Sequence, residues 1–107
     1  MLKKRYVKSR NTCKVTFEIP KDELPEEISP EAVSLVGDFN GWDTEATPMS
    51  WVKSTGAFKA VLDLEPETSY EFRYLLDGDR WYNDSEASAY VPNGFGTHNS
   101  VVETTIA

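Results

Sequence analysis

Alternation of apolar and polar residues at every second position constrains this chain more than any other feature. Cys13, Val15, Phe17 and Ile19 fall on one face of an extended segment and Lys14, Thr16 and Glu18 on the other, until Pro20 ends the run; this is the pattern of a strand with one face buried. Phe58, Ala60, Leu62 and Leu64 repeat it. Tyr70, Phe72, Tyr74 and Leu76 form the most regular apolar face, opposite Glu71, Arg73, Leu75 and Asp77. Asp77-Gly78 then supplies a hairpin turn. No segment sustains a 3.6-residue period.

Shorter strands are predicted at 33–36, 49–53, 80–83 and 101–105, separated by turn and loop residues such as Ser54-Thr55-Gly56 and the Gly37 to Pro48 stretch. About seven short strands at such intervals predict an all-β, immunoglobulin-like β-sandwich. At 107 residues there is room for one hydrophobic core. The sandwich is assigned to residues 13–107. Residues 1–12 read as a basic N-terminal arm, because residues 1–14 hold six basic residues and no acid.

The charge has consequences for partners. A net charge of −7, sharper still once the basic arm is set aside, disfavours nucleic acid and anionic membrane as partners. The arm itself reads as solvated or lying against the chain's own acidic surface, with a membrane or partner tether as the less favoured reading. It lacks the apolar core of a signal peptide, no run approaches a membrane span, and the single cysteine, Cys13, has no partner for an intrachain disulfide. A soluble, cytoplasmic protein is expected.

Catalytic side chains are few. His98 is the single histidine, and its nearness in sequence to Ser100 does not make a nucleophile and base. One histidine with one distant cysteine does not supply a zinc ligand set, and Gly94-Phe95-Gly96 precedes a strand rather than a phosphate-binding helix. Asp77, Asp79, Asp84 and Glu86 lie close together, but turn carboxylates on a small sandwich are expected to be solvated rather than raised in pKa for glycoside hydrolysis. No catalytic residue, metal or cofactor is expected.

Large aromatics occupy turn chemistry instead. Trp42 follows Gly37-Asp38-Phe39-Asn40-Gly41, Trp81 follows the Asp77-Gly78 turn, and Phe95 lies between two glycines. Leaving such a group in water forgoes about 1.5–3 kcal/mol of burial. Each tryptophan therefore either plugs an end of the sandwich or forms an exposed platform, and the residues alone leave both readings open; for Phe39 and Tyr82 the plug is favoured. A platform suits a sugar, whose apolar ring face stacks on an aromatic while planar polar side chains meet its hydroxyls. Arg73, Asn83, Thr97 and Asn99 are groups of that type.

Val33 to Trp42, Tyr70 to Gly78, Arg80 to Asp84 and Asn99 to Val102 together resemble the family 48 carbohydrate-binding modules. These are the early-set domains of isoamylases and glycogen-branching enzymes and the glycogen-binding domain of the AMP-activated protein kinase β subunit, and the likeness is nearest to small free-standing bacterial members. The resemblance implies a non-catalytic module that binds α-glucan (glycogen, starch or a maltooligosaccharide). It implies stacking by Trp42 and Trp81, a basic contact from Arg73, a wedge at Phe95, and hydrogen bonds from Thr97 and Asn99. The alternative is an accessory domain that has lost the sugar and docks on a glycogen-metabolising enzyme in trans.

Overall fold

The computed structural model describes residues 2–24, 30–94 and 96–104. Its strands are β1 (Leu2–Val7), β2 (Thr12–Pro20), β3 (Val33–Gly37), β4 (Ser50–Val52), β5 (Ala57–Leu64), β6 (Ser69–Leu76), β7 (Arg80–Tyr82), β8 (Ala89–Pro92) and β9 (His98–Glu103). Two antiparallel sheets carry them. One runs β1-β2-β5-β4; the other runs β3-β6-β9-β8, with β7 also paired to β6.

The alternating residues face each other between the sheets. Cys13, Val15, Phe17 and Ile19 of β2 are buried, as are Phe72, Tyr74 and Leu76 of β6, and Phe17 meets Phe72 edge-on at 5.1 Å. Aromatic pairs in this geometry add about 0.5–1.5 kcal/mol beyond their area. Phe39 plugs one end as expected, with its ring 5.6 Å from Phe17 and 6.0 Å from Tyr70. Tyr82 also packs against the core.

Nine strands stand among the described residues where about seven were expected, and the two additions have different causes. The segment expected as a basic arm is drawn into the first sheet as its edge strand, because Leu2 and Tyr6 register with Phe17 and Cys13 on the inner face. Lys3 then reaches Glu18 at 3.4 Å, and Lys4 Nζ donates to the Glu103 carbonyl at 2.9 Å. β8 lies in what reads as loop, and β9 begins at His98 rather than at Val101. No helix among the described residues is long and apolar enough to cross a membrane.

Candidate functional site

The Gly37 to Trp42 loop is built residue by residue. Gly37 passes so close to β6 that a Cβ there would lie 2.5 Å from the Glu71 carbonyl oxygen. Asn40 staples the loop, accepting from Gly37 N at 3.1 Å and donating to the Leu35 carbonyl at 2.9 Å and Thr47 Oγ1 at 3.0 Å. Gly41 takes a left-handed turn at φ 68°, and Trp42 follows it at φ 60°. A bulky side chain there is a backbone outlier, of the kind that concentrates at functional sites.

Asp38 fixes the ring that this turn presents. Its Oδ1 accepts from Trp42 Nε1 at 2.9 Å, and its Oδ2 accepts from the Glu71 amide at 2.8 Å. The Trp42 indole is thereby tied to β6 and remains half-buried.

Trp81 is set by the neighbouring hairpin. Leu76 pairs with Arg80 and Leu75 with Trp81. The connection is the three-residue turn Asp77, Gly78 and Asp79, the first two at φ 51° and 75°. Asp77 also accepts from the amides of Glu31 and Ala32 at 2.9 and 3.0 Å. Phe72, Tyr74 and Leu76 point into the core, so Glu71, Arg73 and Leu75 point outward, and Trp81 shares that outer face with them. It is 40% exposed, and the Arg73 guanidinium sits 5.4 Å from its ring centroid.

Asp38, Trp42, Glu71, Arg73, Trp81, Asn93, Thr97 and Asn99 line one open groove of about 930 Å³ on this outer face. The structure thus brings together Trp42, Arg73, Trp81, Thr97 and Asn99; Phe95 lies outside the described residues. Asn83 is elsewhere, donating to the His98 carbonyl at 2.8 Å and accepting from Ser100 Oγ at 2.9 Å. Trp51, the other exposed tryptophan, stacks edge-on against Phe58 at 5.0 Å and does not line the groove.

Asp38, Glu71 and Asn93 were missed by the sequence reading. Asn93 Nδ2 donates to Thr97 Oγ1 at 2.7 Å and to Asn99 Oδ1 at 3.1 Å, while Asn99 Nδ2 donates to Glu71 Oε1 at 3.2 Å. Arg73 Nη1 reaches Thr97 Oγ1 at 3.4 Å, so Glu71 and Arg73 are the two ends of one hydrogen-bonded chain. Burial lowers the pKa of Arg73 from its ordinary value, yet a guanidinium stays charged. Its Nε is buried with no acceptor among the described residues.

The carboxylates weighed for hydrolysis are placed apart from the groove. Asp77 serves its turn, and Asp84 is buried with its Oδ2 accepting from Tyr74 OH at 2.6 Å. His98 is exposed, and Ser100 Oγ is committed to Asn83.

The family model described as the glycogen recognition site of AMP-activated protein kinase matches residues 27–106. No curated protein matches the chain. Among solved structures, the ferric enterobactin esterase of Salmonella typhimurium is similar, with a TM-score of 0.72 and 12% identity over 96% of this chain. The alignment takes in 34% of the esterase, so the chain spans about a third of that protein, and the likeness is one of fold.

Proposed function

The chain belongs to the glycogen-recognition family of the AMP-activated protein kinase, and we propose that it is a non-catalytic module binding α-glucan along the outer face of β6. The observation that carries this reading is the convergence of Trp42, Arg73, Trp81, Thr97 and Asn99 on one groove. Trp42 is tied to β6 at Glu71 and Trp81 stands opposite Leu75. Four residues of strand separate those two points, about 13 Å. The two indoles therefore stack on different sugar rings of one chain, and Arg73 between them donates to the hydroxyls.

Stacking supplies most of the affinity, and each ring is half-exposed before binding, so the affinity for one short chain is modest and rises by multivalency on a branched polymer. Maltoheptaose is expected to quench tryptophan fluorescence. Trp81→Ala and Trp42→Ala remove the response; Trp51→Phe lowers the background signal and keeps it. Absence of any response by the unaltered protein, together with failure to co-sediment with glycogen, overturns the reading. Release of reducing ends from glycogen would overturn its non-catalytic part.

The second reading, docking on a glycogen-metabolising enzyme, has one observation in its favour. On the outer face of the first sheet, opposite to the groove, Arg5 stands directly across from Lys14 and has no ion pair among the described residues. Charge reversal at Arg5 would abolish such docking and leave glucan binding intact.

A further inference from the structure

We infer that Glu71 determines specificity in the groove: it accepts a hydrogen bond from a sugar hydroxyl and excludes glycans that carry phosphate or sulfate. This rests on the glucan reading and goes further by assigning a ligand contact to a residue outside the expected set.

A hydroxyl both donates and accepts, so a groove that reads hydroxyls needs acceptors as well as donors. Donors are supplied by Arg73 and the side-chain amides. Acceptors are scarcer. Both oxygens of Asp38 already accept, from the Trp42 indole and the Glu71 amide. Asn99 Oδ1 accepts from Asn93, and Thr97 Oγ1 accepts from Asn93 and Arg73. Glu71 Oε1 accepts from Asn99 at 3.2 Å, but Oε2 accepts from no described residue. Of the groove's carboxylate oxygens it alone accepts from no described residue and has both lone pairs open to a ligand.

Its placement suits that role. Glu71 and Arg73 are alternate residues of β6 on one outward face, about 7 Å apart at the backbone. The backbone amide of Glu71 is held by the Asp38 clamp on Trp42, and the Arg73 guanidinium lies against Trp81. A hydroxyl donating to Glu71 and a neighbouring one accepting from Arg73 lie between the two stacked rings. Two carboxylates, Asp38 and Glu71, against one guanidinium also make the groove repel an anion that Arg73 alone would attract.

The test measures β-cyclodextrin and sulfated β-cyclodextrin against the unaltered protein, Glu71→Ala and Glu71→Gln, with thermal unfolding as the check on folding. The unaltered protein binds the neutral ring and rejects the sulfated one. Glu71→Ala weakens binding of the neutral ring about tenfold, as expected for a lost hydrogen bond to a charged group. Glu71→Gln, which keeps a carbonyl oxygen and loses the charge, retains more of that affinity and admits the sulfated ring. A purely structural role would lower both affinities together and leave their ratio unchanged. Unchanged binding by both variants, or an unchanged ratio in Glu71→Gln, overturns this inference alone. Failure of the unaltered protein to bind β-cyclodextrin overturns the glucan reading and this inference with it.

Discussion

The Asp38 carboxylate holds the Trp42 indole by its N–H at 2.9 Å and, through its other oxygen, the Glu71 amide at 2.8 Å. One side chain thus transmits the position of a core strand to a half-buried ring at the groove. The ring would otherwise rotate freely on an exposed loop, and ordering it on binding would cost conformational entropy.

Asp38→Ala should therefore weaken glucan binding more than it weakens the fold. Loss of the indole bond is expected to reduce affinity about fivefold, in keeping with about 1 kcal/mol for a net hydrogen bond. Asp38→Asn should lie between the two, since an amide has one carbonyl oxygen for the two donors. Maltoheptaose titration beside urea unfolding checks the separation; equal losses in both would mean that Asp38 acts through stability.

Gly37→Ala tests the other support of the loop. An added Cβ would stand 2.5 Å from the Glu71 carbonyl oxygen and 2.8 Å from Phe72 Cβ, neither of which can rotate away. β3 and β6 must separate, and overpacking of this kind costs about 1–3 kcal/mol. Gly41→Ala meets no atom within 4 Å. Its cost is that of a left-handed backbone at φ 68°, about 1 kcal/mol. Thermal unfolding should rank the first substitution below the second.

These two positions also mark what the sequence could and could not disclose. The strands with a buried face were legible because β2 alternates without interruption and β5 and β6 alternate over most of their length. β1 was not, since its run Lys3-Lys4-Arg5 puts a cation on both faces and resembles a solvated tail until its pairing with β2 is seen. β8 hides in a stretch that ends at Pro92, a residue confined to strand ends, bulges and edge strands such as this one. Within the site, tryptophans in turn sequence and an arginine two residues from the next outward position were readable. Glu71 was readable by the same alternation, being on the Arg73 face. Asn93 and Asp38 were not, because their roles are hydrogen bonds to residues distant in sequence or reached across a turn.

Arg5→Glu is expected to stabilise the protein. Arg5 and Lys14 are Cα partners across β1–β2, and Lys14 in turn faces Asp63, which Arg10 also approaches at 3.7 Å. Of these cations Arg10 is the one within ion-pair distance of Asp63 among the described residues, and like charges directly opposed across strands, as Arg5 and Lys14 are, are destabilising. A glutamate at position 5 converts the pair to an attractive one, for a gain of about 0.2–1 kcal/mol. The gain should shrink as salt is raised, because the groups are at the surface. Urea unfolding at two ionic strengths decides it; a loss of stability would mean that Arg5 already has a favourable role in the fold.

Tyr74 gives the fold a pH dependence at the alkaline end. Burial raises its pKa well above the ordinary value of 10.0, and the charge of Asp84 and the bond to it push the same way. A phenol whose folded pKa lies above its unfolded pKa contributes stability that is complete below about pH 10. Above that, the unfolded chain releases the proton first, so stability falls as pH climbs toward the folded value. Tyr74→Phe removes this dependence and also leaves Asp84, 2% exposed, without its 2.6 Å donor. The expected cost at neutral pH is about 1–3 kcal/mol for a buried acceptor that loses one of its donors. Denaturant midpoints between pH 7 and 11 should therefore decline less for Tyr74→Phe than for the unaltered protein, from a lower starting point. Parallel declines would mean that another group, such as the half-buried Tyr82 whose pKa burial also raises, sets the alkaline limit.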